Sequence, residues 1–184
     1  MDLEHKFCRL GGEVSVREAA AGGAVIEGYA SLFGVCDQGG DIVEAGAYGA
    51  SLTRLTEAGG RVKMLWQHDP AQPIGVWDEV REDKRGLYVK GRLLDEVAQA
   101  REAAALVAAG AIDGLSIGYR TVKAGTSAKG ERLLSELELW EVSLVTFPML
   151  PQARVDAKGE DPEATEMRDL AAAIEEGRRL LAGT

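Results

Sequence analysis

The chain has 184 residues, with 30 acidic against 21 basic side chains and a formal net charge of -9. That is enough length for one domain with its own core, and the charge excludes the basic stripe that non-specific nucleic-acid binding needs. Aromatic residues make up only 5%, so the core must come from Leu, Val, Ile and Ala. No apolar run approaches the length that crosses a bilayer. The two cysteines, Cys8 and Cys36, lack metal-type spacing. The composition therefore predicts a soluble protein in a reducing, cytoplasmic setting, with no membrane and no direct nucleic-acid partner.

Taken in order, short alternations of apolar and polar residues from Lys6 to Glu18 and from Ala24 to Ala30 predict two strands of a meander, separated by glycine pairs. Gly34 to Gly40 is a loop and Asp41-Ile42-Val43 a brief strand. Gly46 opens a helix through Glu57, with Leu52 and Leu55 on its apolar face and Gly59-Gly60 as its stop. Val62 to Trp66 is a buried strand that delivers His68 to its end, after which Pro70 and Pro73 fix an extended turn. Ile74 to Val80 and Leu87 to Leu93 form a hairpin over the charged turn Arg81 to Gly86. Asp95 caps a helix through Ala109 that Gly110 closes.

Ile112 to Tyr119 then reads as a strand in which glycines flank one serine, a pattern that marks close approach of another backbone. A polar hairpin over Gly125 to Gly130 leads into Leu133 to Val145, the longest strand candidate. Residues 155–161 read as a linker, and Met167, Leu170, Ala171, Ile174 and Leu181 mark one face of an amphipathic helix within 162–184. The expected organisation is a domain over 1–154, a linker, and a C-terminal helix that docks on a partner or is cut away. Strands outnumber helices, so the fold class is mainly β with flanking helices.

Only two histidines occur, His5 and His68. Imidazole is the side chain best suited to exchange a proton near neutral pH, and His5 sits in a polar stretch near a terminus, which singles out His68. Gly114-Leu115-Ser116-Ile117-Gly118 fits the G-x-S-x-G pattern of α/β-hydrolases, but no histidine follows Ser116 and strand continues after it, so that fold is rejected. A chymotrypsin-like order would want an acid between His68 and Ser116, for which Asp95 and Asp113 are the candidates.

Downstream, period-two alternation puts Leu139, Glu141, Ser143 and Val145 on one strand face. A carboxylate among aliphatic residues is costly without a partner, and an imidazole would be one. Ser116 as nucleophile, His68 as base and Glu141 as orienting acid form one account. A packing serine, a histidine capping a turn through Asp69 and a glutamate in an ordinary ion pair form the other. Composition and spacing alone favour the second account.

Three linked motifs bear on that choice. His68-Asp69 with Pro73-Ile74-Gly75, then Asp113 to Tyr119, then Glu141 to Val145 with Pro148, resemble the prohead (capsid maturation) serine protease family of tailed bacteriophages. Gly40 to Val43 and Gly46-Ala47-Tyr48 are similar to that family's N-terminal signature. The resemblance implies a fold related to the herpesvirus assemblin proteases, a closed or nearly closed β-barrel ringed by helices. It implies Ser116 as nucleophile, His68 as base and Glu141 as third member, with Asp113 or Ser143 as alternatives for orienting His68. No cofactor or metal is implied.

The implied activity is endoproteolysis of the major capsid protein or its scaffolding segment inside assembling procapsids of a bacterial host, with self-cleavage of the tail. A homodimer follows by analogy with assemblin, and the source could be a phage, a prophage or a gene transfer agent. A non-catalytic capsid assembly or scaffolding module is the rival reading, and an esterase is a remote third.

Overall fold

The computed structural model describes residues 4–6, 16–18, 24–150 and 153. Among them nine strands and two helices follow in the order β1 (Glu4–Lys6), β2 (Val16–Glu18), β3 (Ala24–Leu32), β4 (Asp41–Val43), α1 (Gly49–Glu57), β5 (Lys63–Trp66), β6 (Asp69–Glu82), β7 (Gly86–Leu93), α2 (Ala98–Ala108), β8 (Gly114–Thr126) and β9 (Arg132–Val145). The expected linker and C-terminal helix lie outside the described residues.

All nine strands join one sheet in the order β1-β8-β9-β5-β6-β7-β3-β2, with β4 attached to β9. Among the described residues hydrogen bonding runs along this path without closing it, and the sheet curls into a half-barrel that brings β3 near β8. The expected meander is present where Val16–Glu18, at the end of the first predicted stretch, pairs antiparallel with Ala24–Leu32, while Glu4–Lys6 goes elsewhere. β1 pairs with β8, His5 standing opposite Gly118, whereas β2 pairs with β3 at the far end of the path.

Pleat alternation explains where the core lies. In β7, Leu87, Val89, Gly91 and Leu93 are buried while Lys90 and Arg92 are exposed. Lys90 pairs with Glu27 at 2.7 Å and Arg92 with Asp78 at 2.9 Å on that outer face. The expected β6–β7 hairpin is present, with β6 running two residues and β7 one residue further into the turn than predicted. Helix α2 buries Ala100, Ala103 and Val107, small side chains that let it lie close on β6 and β7. It starts at Ala98 after Val97 and has no side-chain cap, so Asp95 is not the N-cap. Instead the Asp95 carbonyl accepts a hydrogen bond from Arg101 Nη1.

The long antiparallel pair β8–β9 forms the centre of the molecule. On one side of β9 the segment 41–66 runs in step with it: β4 pairs in parallel with 132–134, and β5 with 141–144. Between these two stretches the turn before α1 and the first turn of α1 supply the partners, Ala47 O accepting from Leu137 N at 2.8 Å and Ser51 Oγ from Leu139 N at 2.9 Å. Helix α1 begins at Gly49, three residues later than predicted. Its fully buried side chain is Ser51, with the predicted Leu52 and Leu55 packed at the edge of the core.

Candidate active site

His68 and Glu141 owe their positions to departures from regular strand geometry, and Ser116 to the regular pleat. His68 is the second of two residues, Gln67 and His68, that join β5 to β6, with Trp66 paired to Asp69 across them. Both have positive φ, 52° and 62°, the φ signature of the two-residue hairpin turn that glycine and asparagine ordinarily fill. A non-glycine residue held there costs about 1–3 kcal/mol, and the structure shows what holds it. Gln67 N donates to Leu144 O at 2.9 Å, Gln67 Nε2 to Thr146 Oγ1 at 2.7 Å, and His68 N to Ser143 Oγ at 3.2 Å.

The tight turn therefore falls before Pro70 and Pro73, not at them. The prolines lie inside β6, where Leu65 pairs with Pro73 and the residues 70–72 bulge out of the ladder. Asp69 ties that bulge by accepting from Ala71 N at 2.8 Å and Gln72 Nε2 at 2.7 Å. The Gln72 bond, then the Ala71 bond, hold the Asp69 carboxyl below its ordinary pKa.

Ser116 follows from simple alternation. Leu115, Ile117 and Tyr119 belong to the core, so Ser116 and Gly118 face the other side of the sheet. The glycines around Ser116 have separate reasons. A Cβ at Gly114 would lie 2.6 Å from Val145 O and 2.8 Å from Pro148 Cδ, which shows how closely the chain after β9 passes. A Cβ at Gly118 would run into Glu141 Oε1. The second glycine of the G-x-S-x-G pattern thus makes room for the carboxylate, a role unrelated to a nucleophile elbow.

Glu141 corrects the sequence expectation. Regular alternation places it on the face of Leu139, yet Leu139, Val142 and Leu144 all join the core. Register resolves the contradiction: Gly118 pairs with Glu141 and Tyr119 with Leu139, so Trp140 is an extra residue in β9. This β-bulge shifts the phase of the strand by one residue and turns Glu141 and Ser143 onto the side of Ser116.

The three side chains then meet. His68 Nδ1 lies 2.6 Å from Glu141 Oε1, and His68 Nε2 lies 2.7 Å from Ser116 Oγ. Ser143 Oγ donates to Glu141 Oε2 at 2.5 Å while accepting the His68 amide, so one hydroxyl ties the carboxylate to the backbone that carries the ring. With Glu141 ionised and able only to accept, the imidazole proton belongs on Nδ1, which leaves Nε2 to accept from the Ser116 hydroxyl. The His68 and Glu141 side chains are 10% and 8% exposed and Ser116 is fully buried, so little water screens the contacts.

Glu141 engages one ring nitrogen of His68 and Ser116 the other. Ser143, weighed as an orienting group, touches the carboxylate and the His68 amide instead of a ring nitrogen. Gln67 and Thr146 were missed by sequence reading, because a clamp on a strained turn leaves no pattern in the chain. Among the described residues no cluster of three or more His, Cys, Asp or Glu side chains is placed to hold a metal ion, and no helix is long and apolar enough to cross a membrane.

A hydroxyl, an imidazole and a carboxylate bonded in series can activate the hydroxyl toward a carbonyl. The prohead protease of Enterobacteria phage HK97 is 35% identical over 136 residues, which are 72% of this chain and 59% of that protein. The chain thus spans less than two thirds of that relative's length. The bacteriophage T4 capsid assembly protease, gp21, matches in structure with a TM-score of 0.61 at 14% identity, covering 78% of this chain and 98% of that one. That likeness supports the expected assemblin-like architecture. Residues 12–168 match the model of the caudovirus prohead serine protease, and with most of its length inside that match the chain belongs to the caudovirus prohead serine protease family.

Proposed function

We propose that the chain is a serine endopeptidase of prohead maturation, with Ser116 as nucleophile, His68 as general base and acid, and Glu141 as the group that orients and charges the imidazole. The observation that carries this reading is the unbroken series of short hydrogen bonds from Ser116 Oγ through both ring nitrogens of His68 to Glu141. As Ser116 Oγ attacks a peptide carbonyl, its proton passes to Nε2, and the imidazolium is stabilised by the carboxylate 2.6 Å from Nδ1. The same proton then goes to the leaving amine, and water repeats the sequence to release the acyl group. The developing oxyanion is held by backbone amides, the usual donors at such a site.

The substrate proposed is the major capsid protein or its scaffolding segment, with self-cleavage as a second event. Support comes from the HK97 relative, which is named a prohead protease. Action inside the assembling procapsid and a homodimeric form extend the same proposal.

The test is co-expression with capsid protein and mass measurement of the processed subunit. Ser116→Ala and His68→Ala abolish processing and leave thermal unfolding cooperative. Glu141→Gln leaves partial activity, because an orienting group contributes less than the nucleophile or base. Undiminished processing by Ser116→Ala removes the enzymatic reading and leaves a shell-building role.

A further inference from the structure

Glu141 reaches the site because β9 carries Trp140 as an extra residue, and something must keep that bulge from sliding. If the extra residue moved to the other side of Glu141, the carboxylate would change faces. On the β8 side the register is fixed by Gly118 opposite Glu141 and Tyr119 opposite Leu139. On the other side the pairing with β4 ends at Leu134 of β9 and the pairing with β5 starts at Glu141. The intervening amides would have no strand to bond, and Ala47 O just before α1 and Ser51 Oγ within it fill the gap.

We infer that Ser51 is a positioning residue for Glu141, acting through the Leu139 amide to hold the Trp140 bulge in phase. The inference rests on the protease reading for its catalytic consequence but not for its geometry. Ser51 is 2% exposed and is the buried residue of α1. Alanine would occupy that place without a polar atom, so what serine adds is an acceptor. Its partner, Leu139 N, lies one residue before the bulge and two before the carboxylate. Without the acceptor a buried amide loses its bond, and the strand can recover one by shifting its register.

The experiment uses the full chain with Ser51→Ala and Ser51→Thr, alone and combined with Glu141→Gln, and has two readouts. The first is steady-state cleavage of a peptide spanning the capsid-protein processing site. Ser51→Ala is expected to lower kcat on the order of 10- to 100-fold with KM nearly unchanged, and Ser51→Thr to restore it. In the Glu141→Gln background Ser51→Ala should add no further loss, since its effect runs through that carboxylate. The second is the low-field proton NMR signal of the His68 ring N–H bonded to Glu141, which needs no turnover. Ser51→Ala should shift or abolish it and Ser51→Thr return it.

An undiminished loss in the Glu141→Gln background, or a ring-proton signal unaffected by Ser51→Ala, overturns the inference. A parent protein that shows the ring proton but cleaves nothing defeats the protease reading, and the NMR comparison alone then decides the role of Ser51. If Ser51→Ala does not fold, Ser51→Cys, which keeps the volume with a weak acceptor, takes its place: a perturbed ring proton supports the inference and an unchanged one overturns it.

Discussion

The turn between β6 and β7 and the turn between β5 and β6 both reverse the chain within one sheet, yet they are built on opposite terms. At the first, Asp83 accepts from the Arg85 and Gly86 amides at 2.8 and 3.2 Å, from Tyr29 at 2.7 Å and from Arg81 at 2.9 Å. Arg85 and Arg81 also lie over the Tyr29 and Tyr88 rings, at 4.6 and 4.5 Å. Every group there relaxes its neighbour. At the second, two residues with side chains are held in left-handed backbone and are tied down by contacts from β9. One turn contributes stability, while the other spends stability to put an imidazole between a hydroxyl and a carboxylate. Strain collects where a side chain must be aimed.

The sharpest way to break the strained side is Gly118→Ala. Its Cβ would displace the Glu141 carboxylate while all three chemical groups stay in the chain, and processing should fall by roughly 100-fold or more, close to the loss in Glu141→Gln, with the fold retained in circular dichroism. Full activity would show that Glu141 has no part in the reaction. A smaller effect is expected from Gln67→Ala, which removes the clamp to Thr146. Turnover of a capsid-derived peptide should fall by about 3- to 10-fold, with the unfolding free energy changed by no more than about 1 kcal/mol.

At the relaxed turn the expectation reverses. Asp83→Asn should leave turnover unchanged and lower stability by about 1–2 kcal/mol, measured by urea unfolding at pH 7. Burial alone would raise the Asp83 carboxyl, but hydrogen bonds from Tyr29, the Arg85 amide, Arg81 and the Gly86 amide outweigh it and hold it at about 2. The folded value lies below the ordinary 3.8, so this contribution is complete above that pH and is lost as the pH falls toward 2. The stability gap between the parent and Asp83→Asn should therefore close across that interval. A gap that stays constant down to pH 2 would remove the carboxylate as its cause.

The relaxed hairpin was legible in the chain because its information is local. Alternation in Ile74–Val80 and Leu87–Leu93 and a charged turn ending in glycine are properties of neighbouring residues. The candidate triad was legible as a set of residue types, since two histidines and one glycine-flanked serine leave few choices. The face of Glu141 was misjudged for an identifiable reason. Counting by twos assumes an unbroken ladder, and the bulge at Trp140 is set by what stands on either side of β9. The edge served by Ala47 and Ser51 comes from residues some 90 positions earlier in the chain, a distance over which periodicity carries no signal. The turn at Gln67–His68 escaped for the same reason, being kept in place by Ser143, Leu144 and Thr146.

By itself the order of residues determined that this is a mainly β domain with two flanking helices, and which serine, histidine and glutamate could act together. Local alternation, turn chemistry and the scarcity of histidine are enough for that. Only the tertiary structure decided that Glu141 turns toward His68, that Gly118 leaves room for it and that Ser143 bridges the carboxylate and the His68 amide. Those outcomes depend on hydrogen bonds between strands that meet only after folding, where a single extra residue reverses the direction of every side chain beyond it.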